Sequence, residues 1–333
     1  MIAAAVVLTA FLFLLSGCGQ KGTEQKDNAD ADKPTVILCA GFSEYDWTRN
    51  ILGENPAGIS LALLNTSGVD MHSYQPSVSD MVKIADCDLL IYTGGISEFW
   101  IDKATGSSGK NSVSTLSLME YFLDNPELFP VYEQEKHEHE HDHDHDHGHA
   151  HEHEEAADEH IWLSLKMAPV FCEKIADTLS AIDPENQELY RENLRKYCMK
   201  LQNLDAEFSQ AVSSASGDVI LFADRFPFTY MMQDYGIHAH AAFPGCSAET
   251  EASFETIIDL AHDLVTDHLT HVAIIKNSKE NLAETIIRAS GKKNVKICTL
   301  DSLQSVTSEE IHGEFTYIDA MKHNKEAISK CLN

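Results

Sequence analysis

DPENQELYRENLRKYCMKLQNLDAEF, running from Asp183 to Phe208, carries the strongest periodic signal in the chain. Tyr190, Leu194, Tyr197, Leu201, Leu204 and Phe208 recur at alternating spacings of four and three, which puts them in one stripe along a helix. Asp183-Pro184 provides the start, with Asp as N-cap and Pro at the first helical position. Nothing interrupts the pattern before Gly217, so the spacing predicts a single helix of about 30 residues, about 45 Å long. Such a stripe suits either a coiled-coil seam or a rigid strut packed along its own chain. The flanking sequence favours the strut.

On both sides, short apolar runs alternate with amphipathic stretches. Before the helix, Val36–Ala40, Ile59–Leu64 and Leu89–Tyr92 read as strands, and Glu44–Leu52, Ser77–Ile84 and Glu98–Lys103 as helices. After it, Val219–Ala223, Ile237–Phe243, Val272–Ile275 and Val295–Leu300 read as strands. Phe228–Tyr235, Phe254–His268, Leu282–Ala289 and Tyr317–Cys331 read as helices between and beyond them. This alternation predicts parallel sheets flanked by helices. The fold class is therefore α/β: two parallel-sheet α/β lobes joined by a single long rigid helix. The N-terminal lobe spans 34–165, the helical region 166–216 and the C-terminal lobe 217–333. A single connecting helix resists hinging, so only small motions are expected around a ligand.

The first residues point to a compartment. Ile2 to Leu15 is almost wholly apolar, the length of a signal-peptide core and too short to span a bilayer. It ends in Leu15-Ser16-Gly17-Cys18, similar to a bacterial lipobox, which predicts a signal peptide over 1–17 and a lipid on Cys18. Residues 18–33 are polar and read as a tether. The formal charge of −29 argues against nucleic acid, whose phosphates need Lys and Arg. Of eight cysteines, seven remain beyond Cys18, without any CxxC pair, so most are expected to pack as small apolar residues.

Chemistry is plainest between positions 137 and 153. His137, His139, His141, His143, His145, His147, His149, His151 and His153 occupy alternate places there, mostly interleaved with Asp and Glu. Residues 133–157 have almost nothing to bury and are expected to form an unstructured loop. Imidazole is a good zinc ligand, and the carboxylates attract cations, so the loop reads as an accessory metal binder. Ordering such a loop around an ion costs entropy, which leaves its sites weaker than a preformed pocket.

In open α/β sheets ligands bind outside the carboxyl ends of the strands. His72, His160, Asp224 and Asp301 are the metal-capable residues that follow strands or open a helix in suitable places. The segment His72-Ser73-Tyr74-Gln75-Pro76 resembles the His-x-Tyr-x-Pro segment of the zinc/manganese-binding solute receptors of bacterial ABC importers. Asp158-Glu159-His160-Ile161-Trp162 resembles their Asp-Pro-His-x-Trp segment. Further matching pieces are Ala85-Asp86, Leu89 to Gly94, Phe99-Trp100, Asp183-Pro184 with Tyr190 and Asn193, Tyr235-Gly236, Asp301-Ser302-Leu303 and Tyr317 to Asn324. The resemblance covers the chain from about Val36 onward.

It implies a metal site between the lobes, with His72 and His160 from the first and Asp301 from the second. The family's remaining ligand is a histidine in a His-x-Ala-Phe-like segment, and Ala223 stands at that place here. Asp224 beside it is the favoured substitute, with Cys246, His238 and His240 as alternatives. The implied role is a monomeric extracytoplasmic receptor, anchored to the cell membrane, that passes Zn(2+) to an ABC permease and ATPase. Mn(2+) is the alternative cargo, and a surface adhesin or metal-storage lipoprotein the alternative role. Outside the histidine loop there is no His-Glu-x-x-His segment and no serine or cysteine nucleophile motif, so no enzyme is expected. Deleting residues 137–153 should remove several weak zinc equivalents from a calorimetric titration and leave one tight equivalent. A tight equivalent that vanished with the loop would contradict a separate preformed site.

Overall fold

The computed structural model describes residues 33–54, 58–106, 113–132, 157–245 and 251–333. The expected signal peptide, Cys18, nearly all of the tether, the histidines from 137 to 153 and Cys246 lie outside the described residues. Two four-stranded sheets form the framework, both wholly parallel. The first has the order β2-β1-β3-β4, from β1 (Thr35–Cys39), β2 (Ile59–Leu63), β3 (Leu89–Tyr92) and β4 (Ser114–Ser117). The second repeats the pattern as β6-β5-β7-β8, from β5 (Val219–Phe226), β6 (His238–Pro244), β7 (His271–Ile275) and β8 (Lys296–Leu300). Strand β3 is buried at all four positions, as a parallel strand covered on both faces must be.

Helices α1 (Phe42–Leu52), α2 (Val78–Asp86), α3 (Trp100–Gly106) and α4 (Leu118–Asp124) belong to the first lobe. Strand β4 and helix α4 are not among the elements expected from the sequence, and the helix expected from Glu98 starts at Trp100, after a short 3-10 turn at Ile96–Glu98. Strand β4 reads Ser-Thr-Leu-Ser and is largely exposed, so it has no apolar run to reveal it. Between the lobes come α5 (Ala168–Ile182) and the long α6 (Gln187–Ser213). The second lobe carries α7 (Thr229–Tyr235), α8 (Phe254–Thr266), α9 (Asn281–Ser290), α10 (Ser308–His312) and α11 (Tyr317–Cys331). Among the described residues no helix is long and apolar enough to cross a membrane.

Helix α6 runs 27 residues, about 40 Å, after a 3-10 turn at Pro184–Asn186. Of the stripe, Tyr190, Tyr197, Leu201, Leu204 and Phe208 are buried within this chain, and Leu194 packs against the same core, which makes the helix a strut. One apolar cluster joins Trp47 of α1, Phe171 of α5, Tyr197 of α6 and Tyr317 of α11. The Trp47 indole lies 6.1 Å from the Phe171 ring and 5.2 Å from that of Tyr317. A carboxylate is buried inside this apolar seam: Asp46 accepts from the Tyr317 amide at 3.1 Å and the Tyr197 hydroxyl at 3.3 Å, and pairs with Arg49. The lobes thus share packing along one side. Across the opening, Ser308 donates its amide to the carbonyl of Thr66, linking the loops after β8 and β2.

Cys298 on β8 and Cys331 at the end of α11 form a disulfide across 33 residues, a pairing that spacing alone did not reveal. Cys39, Cys87, Cys172 and Cys198 are free, and burial pushes the thiols of Cys87 and Cys198 up to about 11, so they are unreactive at neutral pH. Replacing Cys298 and Cys331 together by Ser should cost about 2–4 kcal/mol in a denaturant melt. The doubly substituted protein should be indifferent to reductant, whereas the parent should lose stability on reduction.

Candidate metal centre

The same small device positions both first-lobe histidines. His72 sits on a 3-10 turn, Met71–Ser73, capped by Asp70. One carboxylate oxygen of Asp70 accepts the His72 amide at 3.0 Å and stands 3.0 Å from its Nδ1. His160 precedes the 3-10 turn Ile161–Leu163, and Asp158 treats it alike, at 2.8 Å from the amide and 2.7 Å from Nδ1. An Asp-x-His turn therefore fixes backbone and ring together. A carboxylate on the outer nitrogen is the usual way to orient a metal-binding imidazole and raise its basicity. The two rings lie 5.3 Å apart, with the His160 side chain fully buried and that of His72 11% exposed.

Glu159 completes the group. Its carboxylate stands 3.2 Å from Nε2 of His72 and accepts the Ser97 amide at 2.9 Å, with the Ser97 hydroxyl on its other oxygen. Gly95, at φ 99°, makes room: a Cβ there would meet Oε2 of Glu159 at 2.5 Å. Among the described residues, His72, Glu159 and His160 are the one group of three possible ligands whose atoms all lie within 4.8 Å of one another. Donors around one tetrahedral zinc stand about 3.4 Å apart, so modest contraction would bring them to an ion. The second lobe adds Gln304, whose amide nitrogen lies 3.0 Å from Nδ1 of His72 and 3.3 Å from Nε2 of His160. Its backbone follows Leu303, held at φ 62° in the sparsely populated left-handed region.

The structure places the other candidates differently. Asp301 follows β8 directly, but one oxygen accepts the Leu303 amide at 2.8 Å and the other takes Lys276 at 2.8 Å. Asn324 clasps its backbone on both sides, at 2.7 and 2.9 Å. Asp301 thus shapes the turn that presents Gln304. Asp224 accepts the amides of Arg225 at 2.8 Å and Ile275 at 3.0 Å, one on each oxygen. His238 is exposed, and His240 faces Asp267 and Asp263 at 2.9 and 3.5 Å. Gly245 lies against the His160 ring, where a Cβ would come within 3.1 Å of Cε1. Cys246, the next residue, is outside the described set. Glu159 and Gln304 were missed because neighbours in the chain do not mark them. The repeated Asp-x-His spelling at 70–72 and 158–160 was the available signal.

Charges at the site divide into two kinds. Burial would raise the carboxyls of Asp70, Asp158 and Glu159, but bonds and charges offset it and hold all three below the ordinary range. For Asp70 the offsetting bonds come from His72 and Arg225, for Asp158 from His160, and for Glu159 from His72 and Ser97. Behind them, a pocket at the carboxyl ends of β1 and β3 is lined by Glu44 and Glu98, 1% and 4% exposed. Burial pushes both upward, and the charge of Glu44 pushes Glu98 further. An acid raised in the folded state favours the protonated form, so its penalty is absent below the unfolded value of about 4.3 and grows as pH rises through the folded one. Glu98→Gln should therefore stabilise the metal-free protein at pH 7.5 by an amount of the order of 1 kcal/mol, the worth of one pKa unit. Thermal melts repeated at pH 4 should show the advantage gone; an advantage independent of pH would contradict a neutral buried acid.

Residues 38–331 match the family model described as zinc-uptake complex component A, periplasmic (ZnuA). The zinc-binding lipoprotein AdcA of Streptococcus pneumoniae strain R6 is 28% identical over 319 residues, which is 96% of this chain and 58% of that protein. The chain thus spans less than two thirds of that relative. The high-affinity zinc uptake system protein ZnuA of Bacillus subtilis strain 168 is 27% identical over 332 residues, 98% of this chain and 96% of its own. The crystal structure of the Zn(II)-bound ZnuA-like domain of S. pneumoniae AdcA superposes with a TM-score of 0.68 at 24% identity, over 90% of this chain and 99% of that one. The metal-dependent lipoprotein YcdH from B. subtilis gives 0.70 at 23%, again over 90% and 99%. At these identities the solved structures show the shared fold. The family model covers nearly everything from β1 to the end of α11, and this chain belongs to the ZnuA family.

Proposed function

We propose that this protein is an extracytoplasmic receptor that captures a zinc ion between its lobes and delivers it to the permease and ATPase of an ABC-type importer. The observation that carries the reading is the trio of buried Glu159 and His160 with half-buried His72, gathered where the loops of two parallel sheets meet. Two imidazoles and one carboxylate form a borderline donor set that suits zinc, and affinity alone places zinc above manganese. Gln304 stands at the same point and can turn its amide oxygen toward the ion. Asp301 and Asp224 are the carboxylates the second lobe could add as ligands, each by exchanging a present partner, Lys276 or a backbone amide, for the ion. Cys246 remains the alternative donor. The names of the relatives, a zinc-binding lipoprotein and a zinc uptake protein, favour the same cargo. Lipidation at Cys18 would tether the receptor to the membrane face, and the histidines from 137 to 153 would act as an accessory metal binder.

Glu159→Gln should weaken zinc binding about 10- to 100-fold in competition with a chromophoric chelator. His72→Ala combined with His160→Ala should abolish the tight equivalent while leaving the metal-free melting temperature near that of the parent. Retention of tight zinc by the double variant would sink the reading. Manganese outcompeting zinc would reassign the cargo.

A further inference from the structure

The second lobe reaches the histidines with a cation. Strand β5 breaks its register with β6 between Phe222 and Arg225, and within that stretch the Asp224 carboxylate accepts the amides of Arg225 and, on β7, Ile275. Arg225 leaves the strand from this fixed backbone, and its Nη2 lies 2.7 Å from Oδ2 of Asp70 in the first lobe. The other oxygen of Asp70 holds the amide and Nδ1 of His72. A continuous relay therefore runs from β7 through Asp224, Arg225 and Asp70 to the His72 ring. Both members of the ion pair are only 21% exposed, so solvent screens it less than a surface pair. The counterpart beneath His160 is built otherwise: among the described residues no Lys or Arg pairs with Asp158, whose partner is His160 itself.

A charge-assisted bond between lobes does two things at once. It fixes the Asp70 carboxylate in one orientation, and it makes that orientation depend on how the lobes stand to each other. We infer that Arg225 is a cross-cleft positioning residue: by gripping Asp70 it holds the His72 ring toward the ion, so the second lobe controls metal retention through the orientation of a first-lobe ligand. The consequence for metal rests on the zinc-capture reading above. A slight parting of the lobes that withdrew Arg225 would free Asp70 to rotate and loosen His72 in the same movement. Release then needs no wide opening, which agrees with a fold whose lobes share a core along α6. Other ties across the lobes, from the Trp162 indole to the Ser302 carbonyl at 2.9 Å and from the Tyr317 hydroxyl to the Trp162 carbonyl at 2.7 Å, do not involve Arg225.

The test uses Arg225→Met and Arg225→Gln, which keep much of the stem and remove the charge, with Arg225→Lys as the conservative variant. Zinc is loaded alone and its loss to excess chelator is timed, and the visible bands of the cobalt-substituted protein report ligand geometry. Arg225→Met or Arg225→Gln should speed zinc loss about tenfold, the lower end of what an outer partner of a ligand contributes, and should shift the cobalt bands. Arg225→Lys should recover part of both effects. In an Asp70→Asn background the same substitutions should add less than about a twofold change, because coupled residues are not additive. Zinc loss at the parental rate with unshifted cobalt bands would overturn the inference, as would independent, multiplying effects of Arg225→Met and Asp70→Asn. The control is His72→Ala with His160→Ala. If that variant keeps tight zinc, the capture reading fails and takes this inference with it; if it loses zinc while Arg225→Met is silent, only the positioning role fails.

Discussion

Two imidazoles from distant parts of the chain must face one point with their rings already turned, and the rest of the molecule serves that requirement. Each ring is fixed by an aspartate two residues before it, through the amide and the outer nitrogen together. The turn itself is local, although on the His72 side Arg225 of the second lobe also grips its aspartate. Bringing the two turns within 5.3 Å is another matter, because one follows β2 and the other opens the segment leading to α5. Parallel sheets solve it by delivering all their loops to the same edge. The second sheet, wound in the same order, delivers Gln304 and Arg225 from the opposite side.

The long helix decides how the site is used. Five side chains of its stripe are buried, and apolar contacts continue from Trp47 to Tyr317 without a gap at the lobe boundary. A wide hinge would have to expose that surface at about 25 cal/mol per Å². The site is accordingly close to formed before an ion arrives, and little binding energy is lost in closing it.

Much of the fold was legible because burial imposes period. The 4-3 spacing of α6 and the continuous apolar run of β3 both follow from surfaces that must be covered. Strand β4 escaped because little in Ser114–Ser117 is buried. Within the site, His72 and His160 could be read from type and place. Glu159 and Gln304 could not, since their roles come from tertiary approach: one is made possible by Gly95, the other by a left-handed Leu303. The strand-end rule also picked Asp224 and Asp301, and the structure gives both carboxylates backbone or lysine partners instead. A carboxylate after a strand is as useful for tying down the next loop as for meeting a ligand, and sequence cannot separate those uses.

Charge bookkeeping around the trio gives a reason for the arginine. Asp70, Asp158 and Glu159 are all held as anions by their surroundings, whereas burial keeps Glu44 and Glu98 toward the neutral form. Three anions around a buried point would exceed the charge of one divalent ion. Arg225 cancels Asp70, which leaves two negative charges, on Asp158 and Glu159, to face a cation of charge two across imidazoles that must be neutral to bind it. A monovalent ion would leave an uncompensated anion in a site whose side chains are at most 23% exposed, and a trivalent one an uncompensated cation, both costly in a weakly screened setting. A histidine in place of the arginine would add a donor but leave Asp70 unbalanced.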